Sequence, residues 1–146
     1  MKVQVFNTSR RHIPRGRVLR VVREIMQQYA GARQVEVRVI FTEEGEIRAL
    51  NQRFLGRDEP TDVLAFDLGE KDLEGEIYIS VPTAAIQARE YGTGFWEELS
   101  RLAAHGALHL VGFDDAAEED RQQMRQLEDH FLARSQMPAN KTGKEG

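Results

Sequence analysis

Apolar residues recur along this chain with two distinct periods. Val3 and Val5 alternate with polar neighbours, as do Val35, Val37 and Val39 with Glu36 and Arg38. That two-residue period predicts two half-buried strands. Between them, Val18, Leu19, Val22, Ile25 and Met26 have helical spacing, which predicts a helix over 14–29 with Pro14 near its start. Residues 42–53 read as a short helix with Ile47 and Leu50 inward, and Asp58-Glu59-Pro60-Thr61 as a turn. Residues 63–66 and 77–79 are predicted strands, joined by a loop containing Gly69 and Gly75. Pro82 opens a helix ending near Tyr91 and Gly92. Residues 96–111 are apolar almost all round, so that helix is expected to be buried. A last helix spans 116–133. Strands come mostly early and helices late, which predicts an α+β fold: a small mixed four-stranded sheet packed with about five helices.

The length of 146 residues suits one domain, expected over 1–136. From Met137 onward the chain mixes Pro, Asn, Lys, Gly and Glu without periodicity, and 137–146 is expected to be a disordered tail. No apolar run approaches the ~18 residues of a membrane span. No apolar signal core accompanies Arg10 and Arg11, so a cytoplasmic protein without a membrane partner is expected. The chain has no cysteine, which excludes disulfides, thiolate metal sites and a cysteine nucleophile. Any metal must be held by His, Asp or Glu, and there are four His.

The net charge of −4 hides an asymmetry. Residues 1–34 carry eight Lys and Arg against Glu24, a net of +7, so the remainder carries −11. A basic segment on an acidic protein can meet a phosphate backbone locally. Arg15, Arg17, Arg20 and Arg23 are the candidate phosphate-backbone contacts; a solvated basic helix face has the same pattern.

The chemistry concentrates in His105-Gly106-Ala107-Leu108-His109-Leu110-Val111-Gly112-Phe113-Asp114-Asp115. Two His four residues apart on a helix share one face and can converge on one cation. Gly112 breaks the helix, so Asp114 or Asp115 could return as a third ligand and leave a fourth position open for water. Asp115 has a second reading, because Asp115-Ala116-Ala117-Glu118 has the spacing of a capping box for the last helix. Zinc proteases of the His-Glu-x-x-His type carry a general-base Glu after the first His. This chain has Gly106 there, so a peptidase would lack its proton acceptor.

Residues 105–114 match the pattern His-Gly-x-Leu-His-Leu-x-Gly-Tyr-Asp, with Phe113 in place of Tyr. Residues 51–66 resemble Asn-x-x-(aromatic)-Arg-Gly-x-Asp-x-Pro-Thr-Asp-Val-Leu-Ser-Phe, and 75–80 resemble a Gly-Asp-Ile strand. In these stretches the chain resembles the YbeY family of bacterial endoribonucleases, which act in rRNA maturation. The resemblance runs from about residue 35 to 132. It implies one divalent metal, Zn2+, on His105, His109 and Asp115, with Asp115 where the family usually has a third His. A carboxylate there keeps coordination but shifts preference toward harder cations. The family's Arg before Gly, thought to act on phosphate, falls on Leu55. Arg57 or Arg53 is expected to supply the missing guanidinium. The function implied is a metal-dependent endoribonuclease specific for single-stranded RNA. It would act in 3′ end maturation of small-subunit rRNA and in ribosome quality control, with the small subunit as partner and no nucleotide cofactor. The alternatives are a zinc metallopeptidase and a non-catalytic ribosome-assembly factor.

Overall fold

The computed structural model describes residues 1–136; the expected tail, 137–146, lies outside them. In chain order the elements are β1 (Lys2–Asn7), α1 (Arg15–Tyr29), β2 (Val35–Thr42), α2 (Glu44–Leu55), β3 (Val63–Asp67), β4 (Leu73–Ser80), α3 (Val81–Tyr91), α4 (Phe95–Leu110) and α5 (Glu118–Gln136). The sheet order is β1-β2-β4-β3. β1, β2 and β4 are parallel neighbours, and β3 runs antiparallel to β4 at the edge. This is the mixed four-stranded α+β architecture expected.

Alternation puts Val3, Val5, Val37, Val39, Phe41, Ile77 and Ile79 on one face of the sheet, where all are buried. α4 lies against that face, and its Leu99, Ala103, Ala107 and Leu108 are fully buried. α1 and α5 pack on α4 in turn. Each Val, Ile, Leu or Phe side chain buried this way contributes about 1.5–3 kcal/mol. The opposite face is covered in part by α2, which packs on β4 and β3.

Two glycines set how closely α4 approaches the sheet. A Cβ on Gly75 would lie 2.6 Å from Leu110, and a Cβ on Gly106 would lie 2.6 Å from the Cγ2 of Ile77. Gly75 therefore belongs to a strand under a helix, not to a loop. β4 begins at Leu73, four residues earlier than the apolar pattern at 77–79 suggests. Glycine within a strand often marks such a close backbone approach. α2 also begins later than expected, after Glu43, because Glu43 and Glu46 form a capping box there.

Candidate metal centre

α4 ends at a left-handed glycine. Gly112 has φ 108°, its N–H donates to His109 O at 3.0 Å, and the Phe113 N–H donates to Leu108 O at 3.0 Å. Such a cap satisfies the last carbonyls and reverses the chain. The Asp115 N–H then donates to Asp114 Oδ1 at 2.7 Å, which fixes the turn. α5 starts only at Glu118, so Asp115 is not its cap. The Asp115 side chain instead faces the two imidazoles.

The three donor atoms form a nearly equilateral triangle. His105 Nε2 and His109 Nε2 are 3.1 Å apart. Asp115 Oδ2 stands 3.2 Å from the first and 3.5 Å from the second. Tetrahedral zinc with bonds of ~2.0–2.1 Å needs ligand atoms ~3.3 Å apart. The residues therefore fit the ion that the sequence implies. Each side chain remains between 24% and 39% exposed, so one side of the triangle opens outward.

His105 is oriented from behind. Its Nδ1 lies 2.7 Å from Glu128 Oε2, and Glu128 is buried. Arg101 Nη1 donates to Glu128 Oε1 at 3.1 Å, and its Nη2 donates to Asp129 at 2.8 Å. A carboxylate on Nδ1 keeps the proton there and leaves Nε2 free to bind a metal. Burial alone would lower the His105 pKa. The hydrogen bond and charge of Glu128, with the charge of Asp115, outweigh it and hold the imidazole above its ordinary value.

Glu128 and Arg101 escape sequence reading. Glu128 shares the inward stripe of α5 with Met124, Phe131 and Leu132, all buried. A carboxylate on an apolar stripe was the available signal. Glu98 is a similar case, two turns before His105 on the same face of α4. It is buried in the cavity wall, and burial pushes its carboxyl up, against the pull of Arg101 and with the help of Asp62.

Two cavities meet at the triangle. One, of about 310 Å³, includes Asp62, Glu98, Arg101, Arg121 and Arg125 together with His105 and Asp115. The other, of about 400 Å³, runs between residues 61–65 and His105, Gly106, His109 and Asp115. Neither Arg53 nor Arg57 lines these cavities. Arg53 instead borders a groove on the far face of the sheet, with Phe6, Ile40 and Tyr78. The guanidiniums beside the metal centre belong to Arg101, Arg121 and Arg125.

The four arginines of α1 also stand apart from both cavities. Arg15, Arg17 and Arg23 are exposed. Arg20 lies 3.7 Å from Glu24, which is itself engaged by Arg134 at 2.6 Å.

A mixed sheet carrying His-x-x-x-His on a buried helix, with a returning carboxylate and a second carboxylate behind the first His, forms a group that could hold a metal ion, as a metal-dependent hydrolase requires. Comparison with known proteins narrows the class. A family model described as Endoribonuclease YbeY matches residues 4–136. An Endoribonuclease YbeY of Desulforamulus reducens is 44% identical over 78% of this chain and 81% of its own length. That of Chlorobaculum tepidum is 38% identical over 92% and 98%. The solution structure of a Thermotoga maritima protein superposes with a TM-score of 0.65 at 29% identity, covering 97% of this chain and 99% of that one. The chain belongs to the endoribonuclease YbeY family.

Proposed function

We propose that this protein is a zinc-dependent endoribonuclease. In this reading it cuts single-stranded RNA in the cytoplasm and acts in 3′ end maturation of small-subunit rRNA and in ribosome quality control. The donor triangle of His105, His109 and Asp115 carries the proposal, on a chain of this family. When bound, the divalent ion supplies positive charge beside the phosphoryl oxygens and lowers the pKa of water.

The chain's own residues set the stage for that chemistry. Glu128 holds His105 in the ligating tautomer, and Arg101 holds Glu128. Asp115 adds a negative charge where an imidazole would be neutral. Arg121 and Arg125 stand at the cavity wall, where a phosphate would be drawn in. Arg15, Arg17, Arg20 and Arg23 are proposed to hold the strand at a distance from the cut, since they lie on another surface. Arg57 and Arg53 are proposed as phosphate contacts outside the cavities, and the small ribosomal subunit is the proposed partner.

The test is metal analysis of the purified protein beside cleavage of a single-stranded RNA with and without chelator. One zinc per chain, with cleavage lost on chelation and regained with zinc, is the expected result. Cleavage indifferent to chelator removes the metal from the mechanism. Hydrolysis of casein in place of RNA favours the peptidase.

A further inference from the structure

β3 is one of the sheet's two edge strands, and it stands beside the metal centre. Its register against β4 is unbroken from Val63↔Ile79 to Asp67↔Gly75. Just beyond its two ends, the Ser80 N–H donates to Asp62 O at 2.9 Å and the Leu68 N–H donates to Glu74 O at 2.7 Å. In an antiparallel ladder, residues bonded to the neighbour alternate with residues whose N–H and C=O point away from it. Positions 62 and 68 bond inward, so Leu64 and Phe66 do as well. Val63 and Ala65 therefore turn both backbone groups to the free edge, where no strand pairs among the described residues. Both residues line the cavity that contains His105, His109 and Asp115.

Exposed edges are ordinarily blunted by charge, proline or a bulge. β3 is short and ends in the exposed Asp67, but its stretch 63–66, Val-Leu-Ala-Phe, carries no charge, proline or bulge. That middle stretch of the edge, beside the metal centre, is open to an occupant.

We propose that the free edge of β3 is the track along which the sugar–phosphate backbone of single-stranded RNA crosses the metal centre. This inference rests on the ribonuclease reading above. Every second residue offers one donor and one acceptor, repeating at ~6.8 Å along the strand. Consecutive phosphates of a nucleic-acid strand repeat over a comparable length. Each ribonucleotide presents a phosphate, which accepts, and a 2′-OH, which can donate. The N–H groups of Val63 and Ala65 take phosphate oxygens, and their carbonyls take 2′-hydroxyls. DNA satisfies only the first half of that pattern. The edge thus selects RNA by its sugar and is indifferent to base sequence.

Ala65→Pro removes one outward N–H that the β3–β4 ladder does not use, at a position where an edge strand tolerates proline. We expect kcat/KM on single-stranded RNA to fall roughly ten- to a hundredfold, as for the loss of one hydrogen bond to a charged group. Zinc content and Tm should stay near those of the parent. In a second arm, unlabelled DNA of the same sequence should compete for the parent enzyme at least about tenfold less well than unlabelled RNA. A folded, zinc-loaded Ala65→Pro protein that cleaves like the parent overturns the proposal. If that variant does not fold, the competition arm decides, and equal competition by DNA overturns it. If the zinc-loaded parent cleaves casein and no RNA, the ribonuclease reading itself has failed and the edge belongs to a peptide.

Discussion

Two arginines in this molecule are each gripped by carboxylates, with different consequences. Arg38 lies on the outer face of the sheet, 3.1 Å from Glu36, 3.3 Å from Glu74 and 3.1 Å from Glu76. Arg101 lies between α4 and α5, bonded to Glu128 and Asp129. The Arg38 cluster has more partners, yet Glu36 and Glu74 face solvent, and half-buried Glu76 leads only to the Tyr78 hydroxyl. The Arg101 chain passes through buried Glu128 to an imidazole, and from there to an open donor triangle. Charge density does not distinguish a functional centre here. What distinguishes it is burial of the middle carboxylate and a terminus able to bind something.

Cutting the inner chain at its far end should have the largest effect. His109→Ala removes one of three ligands; one zinc per chain should fall to a small fraction, and RNA cleavage by about a thousandfold, since the metal supplies several kcal/mol. Elemental analysis and a gel assay on one preparation would show it, and full cleavage without zinc would end the metal reading. One bond further back, Glu128→Gln should weaken zinc binding about 10- to 100-fold, as measured by chelator competition. Unchanged affinity would reduce the inner chain to the status of the outer one.

The α1 arginines are a third arrangement: among the described residues, Arg15, Arg17 and Arg23 have no carboxylate partner and Arg20 faces Glu24. Reversing Arg17 and Arg20 to Glu should weaken RNA binding and reduce the slope of log affinity against log salt by about 1.4, two charges at ~0.7 each. Unchanged affinity removes α1 from the interface. Arg38→Met should leave cleavage intact and cost about 1 kcal/mol in denaturant unfolding, mainly from repulsion among the three carboxylates left behind.

The smallest effect concerns Glu98 and depends on pH. Its carboxyl, raised by burial, binds a proton more tightly in the folded chain than in the unfolded one. That contribution to stability is complete below the unfolded pKa of about 4.3 and is lost as pH rises through the folded value. Glu98→Gln does not ionise. Its Tm advantage over the parent should be absent near pH 4 and reach its full size by neutral pH. A constant difference across that range would show that Glu98 is paired better than its surroundings suggest.

Most elements were legible because burial of one face writes a period into the chain. Val35, Val37 and Val39 show it for β2, and Val18, Val22 and Ile25 for α1. The metal motif was legible because it is local: the histidines stand four positions apart, and Asp115 six positions beyond the second. The first half of β4 was hidden from the apolar pattern, and only the motif at 75–80 pointed to it, because Gly75 fills no space and its neighbours Glu74 and Glu76 are polar. Strand order was hidden for another reason. β2 skips β3 to pair with β4, a choice made by tertiary packing and not by any local pattern. Glu128 stands 23 residues from His105; its place on the apolar stripe of α5 marks it as inward-facing, but only the packing of α5 on α4 names its partner. Leu55 shows the converse risk. Its motif position drew attention to Arg53 and Arg57, while the cavities recruit Arg121 and Arg125 from a helix outside that motif.

Gly106 has a consequence for the evolutionary reach of this scaffold. It occupies the position where a zinc peptidase of the His-Glu-x-x-His type carries its base. Here that position faces the sheet, against a fully buried Ile77. A glutamate there would place its Cβ 2.6 Å from Ile77 Cγ2, so Ile77 must move or shrink to admit it. A path from this helix to that chemistry therefore runs through a repacking of the α4–β4 contact.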